Sequence, residues 1–180
     1  MQADKSFGEP VSKFIFKEFM NGLSFLHSNG IAHRDLKPSN ILFGEEFTLK
    51  IADFGFVAQE KTTRDGLFQT YLGTPQYMAP EIHLILEGEE KGIPVQELRY
   101  ESLPVDIFSA GIILFVLHIG FYPFIMAHMK DPIFNCIVYH GWEKFWDLFE
   151  KKTKQAINQD FKELVQGMLD FDPVTRLTAE

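Results

Sequence analysis

The 180-residue sequence predicts a mainly α-helical domain that carries a small β-hairpin. Apolar residues recur every three to four positions in several long segments, which is typical of helices that bury one face. Two short apolar runs, 41–43 and 47–51, flank the polar turn 44–46 and predict the hairpin. Hydrophobic residues make up 46% of the chain and include 19 phenylalanines, enough for a sizeable core in one domain.

The first helix is predicted to start near Val11 and to end before Asn29 and Gly30, which supply a left-handed stop. Its buried face is a stripe of apolar residues at helical spacing. The stripe consists of Ile15, Phe19, Leu23 and Leu26. We interpret its phenylalanine as a core residue and not as part of a ligand site, because helical spacing alone explains its position.

The most apolar run extends from Ile107 to Leu117 and continues, with polar interruptions, to Met129. A membrane span would have to include the interruptions, whereas the uninterrupted part has the length of a buried core helix. We therefore predict a core helix and no membrane span. Pro104 and Asp106 open this helix, and Asp106 is expected at its N-terminus, where a carboxylate accepts unpaired backbone N–H groups.

Two more helices are predicted in the last third of the chain. Asp131-Pro132 is an N-cap and first-turn pair that starts the first of them, and Asp172-Pro173 ends the second. The apolar residues at helical spacing are Trp142, Phe145, Trp146 and Phe149 in one, and Phe161, Leu164, Val165, Met168 and Leu169 in the other. The stretch 82–105 is interpreted as a solvated surface loop, with a partner site as the alternative.

Polar side chains concentrate in two short runs before and after the hairpin. The first is 33–40, His-Arg-Asp-Leu-Lys-Pro-Ser-Asn, and the second is 53–55, Asp-Phe-Gly. The first run must be a loop, because Pro38 has no N–H and a strand cannot continue through it. Polar groups that gather on loops indicate chemistry more than packing.

The residue types in these runs suit the transfer of a phosphoryl group from a magnesium nucleotide to an alcohol. That reaction needs positive charge near the transferred group and a carboxylate that orients or receives the hydroxyl proton. Asp35 can be that carboxylate, and Lys37 can lie against the γ-phosphate. Asn40 and Asp53 offer the hard oxygen donors that Mg²⁺ prefers.

Together with Ala79-Pro80-Glu81, the two runs resemble the motifs of the C-terminal lobe of eukaryotic-type serine/threonine protein kinases. The resemblance identifies 33–40 as the catalytic loop and 53–81 as the activation segment, which begins with the magnesium loop, 53–55. The whole chain, 1–180, would then be a partial kinase domain that ends within the C-terminal lobe. The glycine-rich loop, lysine and glutamate of the family's upper lobe are not found in the sequence.

The resemblance implies that ATP, with Mg²⁺, is the phosphoryl donor and that serine or threonine in a protein substrate is the acceptor. Asp35 would be the base, Asn40 and Asp53 would bind Mg²⁺, and Lys37 would contact the γ-phosphate. Leu42 would line the adenine pocket beneath the base. Its sequence context alone predicts a buried strand residue.

Other residues would hold or regulate this site. The resemblance implies that Thr74 hydrogen-bonds to Asp35 and Lys37. It also implies that Asp106 holds the catalytic loop in place and that Arg176 pairs with Glu81. His33, Phe54 and Gly55 complete the two loops.

Arg34, directly before Asp35, is typical of kinases that are switched on by phosphorylation of the activation segment. An upstream activating kinase is then expected as a partner, with Thr70 as its target by position. The alternative is that Thr70 is an ordinary loop threonine that is never modified.

Charge and cysteine usage exclude other classes of function. A net charge of −8 without any basic run argues against a nucleic-acid partner. Cys136 is the one cysteine, so a disulfide framework is excluded and an intracellular, cytoplasmic location is expected. Cys136 and His140 share a helix face but lack the second ligand pair of a zinc site.

Two alternatives to a protein kinase stay open. One is a non-catalytic, pseudokinase-like binding or scaffold module, because the upper-lobe motifs are missing from the sequence. The other is a small-molecule phosphotransferase with a related lobe. The long segment that ends in Ala79-Pro80-Glu81 disfavours this second alternative, since protein substrates require such a segment.

Overall fold

The computed structural model describes residues 6–59, 67–68, 73–94 and 98–180, with 67–68 described as backbone only. Within these ranges the chain forms five α-helices and six short strands. The helices are α1 (Glu9–Ser28), α2 (Pro80–Glu90), α3 (Ser102–Ile119), α4 (Pro132–Thr153) and α5 (Gln159–Met168). The strands form three antiparallel pairs: β1 (Ile31–Ala32) with β4 (Ala58–Gln59), β2 (Ile41–Phe43) with β3 (Leu49–Ile51), and β5 (Leu67–Phe68) with β6 (Tyr100–Glu101). The prediction of a mainly α fold is confirmed.

Helix α3 lies at the centre of the protein and packs against both α1 and α5. It is long enough and apolar enough to cross a membrane, but 78% of it is buried within the protein. The prediction of a core helix is therefore confirmed. The predicted start was wrong, because α3 begins at Ser102 and Asp106 lies inside the helix. The Asp106 carboxylate is thus not a cap of its own helix, and it accepts hydrogen bonds from another segment.

Aromatic side chains from α4 and α5 surround Phe115 of α3. Its ring centroid lies 4.9 Å from that of Phe149 and 5.6 Å from that of Phe145. Helix α4 starts as predicted, because the carboxylate of Asp131 accepts the N–H groups of the first turn. Gly141 interrupts α4 with φ 77°, a left-handed conformation that glycine adopts without strain. Helix α5 ends at Met168, earlier than predicted.

The hairpin of β2 and β3 packs against α1, where Gly22 leaves room for the side chain of Ile51. The second strand was predicted to start at Phe47 but starts at Leu49. The reason is a 3-10 turn over 45–47, in which Phe47 has φ 60° and cannot continue a strand. Leu42 is 53% exposed, so its interpretation as a buried strand residue is wrong.

The interpretation of 82–105 as a solvated loop is wrong for much of its length. Helix α2 runs through Glu90 and buries Ile82 and Ile85 against the core. A Cβ atom at Gly88 would lie 2.5 Å from Leu98, so this glycine permits a close approach of the two segments. The glycine and the acidic run 87–90 obscured the helical spacing, while residues 91–94 are exposed as predicted.

Candidate active site

The catalytic loop follows β1 and leads through a 3-10 turn, Pro38–Asn40, into β2. Asp106, fully buried on α3, holds its first residues: Oδ2 accepts the N–H of His33 and Oδ1 accepts that of Arg34, both at 2.7 Å. The ring Nε2 of His27 donates to the same carboxylate at 3.1 Å. Arg34 has φ 67°, a left-handed conformation that costs energy for a non-glycine residue and needs such support.

Asp35, Lys37 and Thr74 form a closed ring of hydrogen bonds. The Lys37 ammonium donates to Asp35 Oδ2 at 2.6 Å and to the Thr74 hydroxyl at 3.1 Å. The Thr74 hydroxyl donates to Asp35 Oδ1 at 3.0 Å. Asp35 is only 5% exposed, and each oxygen of its buried carboxylate accepts a hydrogen bond. The fold thus brings together three residues that the sequence singled out, although Thr74 comes from a distant segment.

Asn40 is buried beside this ring and presents its amide oxygen for another partner. Its Nδ2 donates to the backbone carbonyl of Asp35 at 2.9 Å, which assigns the amide orientation. The Oδ1 atom then meets the Ser39 hydroxyl only at 3.5 Å. An amide oxygen in this position has a lone pair to offer to a hard cation.

His33 connects the catalytic loop to the magnesium loop. Its Nε2 donates to the carbonyl of Ala52 at 2.9 Å, and its Nδ1 accepts the N–H of Asp35 at 3.3 Å. The N–H of Ala52 donates to the carbonyl of Asn40 at 2.8 Å, and the Phe54 ring lies 5.3 Å from the His33 ring. These contacts hold the backbone before Asp53 against the end of the catalytic loop.

The magnesium loop itself is open to solvent. Asp53 is exposed and left-handed, with φ 65°, and Phe54 is 50% exposed. Gly55 has no side chain, and a Cβ atom at this position would lie 3.3 Å from Oδ1 of Asp53. In the described part of the chain the Asp53 carboxylate forms no hydrogen bond or ion pair, so it is available to an added ligand.

The donors at the two loops fit Mg²⁺ by their chemistry. Asn40 and Asp53 provide one amide and one carboxylate oxygen, and Mg²⁺ keeps several of its waters when it binds to so few protein groups. Among residues 6–59, 73–94 and 98–180, no group of three or more His, Cys, Asp or Glu side chains could hold a metal ion.

Arg34 contacts two segments beyond its own loop. Its Nε donates to the carbonyl of Phe56 at 2.7 Å, and its Nη1 donates to the hydroxyl of Tyr100 at 3.2 Å. Tyr100, on β6, was not singled out from the sequence, since nothing local marks a tyrosine as an arginine partner. Thr70, the predicted phosphorylation target, lies outside the described residues.

Glu81 and Arg176 form the predicted pair as a two-pronged ion pair. Nη1 donates to Oε1 at 2.7 Å and Nη2 donates to Oε2 at 3.0 Å. The guanidinium also donates to the carbonyls of Pro104 and Asp170, at 2.9 and 2.8 Å. The pair therefore joins the start of α2 to α3 and to the segment after α5.

Two buried groups beside the Thr74 segment were missed in the sequence. Tyr77 and Tyr122 share a hydrogen bond of 2.9 Å between their hydroxyls, and burial raises the pKa of Tyr77. His83 of α2 is buried, and burial, followed by the charge of His128, lowers the pKa of its imidazole. Only the tertiary packing reveals these groups, because neither belongs to a motif.

Comparisons with known proteins agree with this geometry. The model of the protein kinase domain family matches residues 1–180. CBL-interacting serine/threonine-protein kinase 14 of Arabidopsis thaliana is 38% identical over 97% of the chain and 35% of its own length. CBL-interacting protein kinase 26 of Oryza sativa subsp. japonica is 35% identical over 96% of the chain and 31% of its own length. The chain thus spans about a third of the length of the curated relatives it matches.

Proposed function

Because this chain belongs to the protein kinase domain family and is of the eukaryotic serine/threonine type, we propose that the whole protein phosphorylates serine or threonine side chains of protein substrates with ATP. The ring of Asp35, Lys37 and Thr74 is the observation that carries the proposal. It combines a carboxylate, an ammonium group and an aliphatic alcohol within hydrogen-bond distance. Transfer of a phosphoryl group to an alcohol requires such a carboxylate and such a positive charge side by side, and the Thr74 hydroxyl holds the two together.

Asp35 acts as the base that orients the acceptor hydroxyl and receives its proton. The hydrogen bond of 3.0 Å from Thr74 supports this role, because it is a bond from an aliphatic alcohol to the same carboxylate. Lys37 places positive charge beside that carboxylate, where it would stabilise the negative charge of the transferred group. Thr74 holds both groups in place and orders the segment that faces the substrate.

Asn40 and Asp53 bind Mg²⁺, with the amide oxygen of one and the exposed carboxylate of the other as ligands. The bound ion supplies charge neutralisation for the phosphates of the nucleotide. Leu42, half exposed on β2, offers an apolar surface to the adenine ring. An upstream kinase that phosphorylates Thr70 remains part of the proposal for the whole protein.

The test is a transfer assay with the full-length protein, ATP and Mg²⁺. Peptides that contain serine, threonine or tyrosine are compared with small alcohols. Transfer to serine and threonine peptides is expected, and Asp35→Asn should lower kcat about 10²–10⁴-fold because the base is lost. Asp147→Asn, which removes an exposed carboxylate of α4, is the matched control and should keep the wild-type rate.

Three outcomes would contradict the proposal. Transfer only to small alcohols would favour the small-molecule phosphotransferase. A wild-type protein that transfers nothing would favour the non-catalytic binding module. An Asp35→Asn variant that keeps the full rate would refute the role of Asp35 as the base.

A further inference from the structure

The activation segment pairs with a strand that comes from the stretch between α2 and α3. Leu67 lies opposite Glu101 and Phe68 lies opposite Tyr100 in the antiparallel pair of β5 and β6. Strand β6 leads directly into α3, the central helix of the core. Residues 67–68 of the activation segment are therefore paired with backbone that the core holds in place.

The same strand contacts the catalytic loop through a side chain. Tyr100 is 5% exposed, and its hydroxyl accepts a hydrogen bond of 3.2 Å from Nη1 of Arg34. The Nε atom of this arginine donates to the carbonyl of Phe56 at 2.7 Å, within the activation segment. Arg34 thus lies between β6, the catalytic loop and the first part of the activation segment.

A guanidinium group at this position needs acceptors to keep one orientation, because five N–H donors in a fixed plane must be satisfied. A phosphate on the activation segment would be a strong acceptor. The carbonyl of Phe56 and the hydroxyl of Tyr100 are neutral acceptors that are already in place without phosphorylation. The hydrogen bonds to them hold the arginine while the segment is unmodified.

We propose that Tyr100 is a positioning residue, whose hydroxyl orients Arg34 and, together with the β5–β6 pair, holds the activation segment ready for a peptide before any phosphorylation. This inference rests on the proposed kinase function. It concerns how the segment is held and leaves the roles of Asp35 and Lys37 unchanged. It assigns to the stretch between α2 and α3 a task within the same chain.

The test uses the full-length protein after treatment with a protein phosphatase. Tyr100→Phe keeps the buried ring and removes only the hydroxyl. We expect kcat/KM for a serine peptide to fall about tenfold, which corresponds to the loss of one hydrogen bond to a charged group. The KM for ATP should be unchanged. Tyr139→Phe removes a hydroxyl from a tyrosine that is 68% exposed on α4, and should behave as wild type.

Hydrogen exchange gives a second measurement that does not depend on activity. Amides of 67–68 and 100–101 should be protected in the phosphatase-treated wild type and should exchange faster in Tyr100→Phe. Equal kcat/KM and equal hydrogen-exchange rates in the wild type and Tyr100→Phe would overturn the proposal. So would a wild type that loses its peptide activity on phosphatase treatment as completely as the variant. A wild type without any transfer activity would instead refute the proposed function, and the exchange measurement would still test the contact.

Discussion

The two loops of the candidate site are built in opposite ways. In the catalytic loop, Asp35 and Asn40 are buried. The Asp35 carboxylate accepts hydrogen bonds from Lys37 and Thr74, and the Asn40 amide nitrogen donates to the carbonyl of Asp35. In the magnesium loop, Asp53 and Phe54 are exposed, and the backbone is held from one side by His33. The first loop is preorganised by the core, whereas the second leaves the Asp53 carboxylate exposed to solvent, where an added ligand could reach it.

This difference predicts which substitutions should lower the stability of the protein as well as its activity. A buried polar group that loses its partner costs free energy of folding, whereas an exposed one does not. Substitutions in and below the catalytic loop should therefore destabilise the protein, and substitutions in the magnesium loop should affect only the reaction. The following predictions test this comparison in order of expected effect on the free energy of unfolding.

Asp106→Ala should have the largest effect. The N–H groups of His33 and Arg34 would lose a charged acceptor inside the protein, and each such loss costs about 1–3 kcal/mol. We expect the free energy of unfolding to fall by about 3–5 kcal/mol, measured by urea denaturation with tryptophan fluorescence. A loss below about 1 kcal/mol would show that α3 does not hold the catalytic loop.

Arg176→Ala should come next, because it leaves Glu81 without its partner. The pair is largely buried, and removing one member of such a pair costs about 3 kcal/mol or more. Unfolding of the variant by urea measures the effect. Lys144→Ala, a cation removed from the exposed face of α4, is the control and should change stability by less than about 0.5 kcal/mol. Equal stability of the two variants would refute the role of the pair.

Asp53→Asn should change the free energy of unfolding by less than about 0.5 kcal/mol, because the carboxylate is exposed and forms no hydrogen bond or ion pair with the described residues. Phosphoryl transfer by the full-length protein should nevertheless be lost or need far more Mg²⁺. Urea denaturation measures the free energy of unfolding, and the transfer rate measured at increasing Mg²⁺ concentrations tests the effect on the reaction. A destabilisation above about 1 kcal/mol would remove the distinction between the loops.

The effect of acid should be smaller than that of either buried substitution, and it should also fall on the buried side of the comparison. Burial lowers the pKa of His83 in the folded state, while the unfolded chain titrates near 6.5. The unfolded state thus binds more protons between these two pKa values. Stability should be unaffected above pH 6.5 and should fall below it, by at most about 1.4 kcal/mol per pH unit, until the folded pKa is passed.

His83→Gln should flatten this part of the pH dependence of unfolding, measured by urea denaturation between pH 5 and 8. Burial also lowers the pKa of His118, so His118→Gln is the matched comparison and should remove a separate contribution of the same sign. A slope that His83→Gln leaves unchanged would contradict the assignment.

Local pattern accounted for much of the fold and for the members of the site. The periodic apolar stripe of α1, the N-cap at Asp131 and the uninterrupted run in α3 each depend on neighbours within a few residues. The motif residues from His33 to Asp53 could likewise be identified by type and spacing. The roles proposed for them stay predictions until the variants are measured.

The sequence by itself determined the helical class, the positions of most helices and the residue types of the two loops, because these follow from spacing along the chain. Only the tertiary structure decided that α2 continues through an acidic run, that β6 pairs with β5, and that Tyr100 contacts Arg34. It also decided that Asp106 serves another segment and not its own helix. Such contacts join residues far apart in the chain, and their free energy appears only when packing excludes water from both partners.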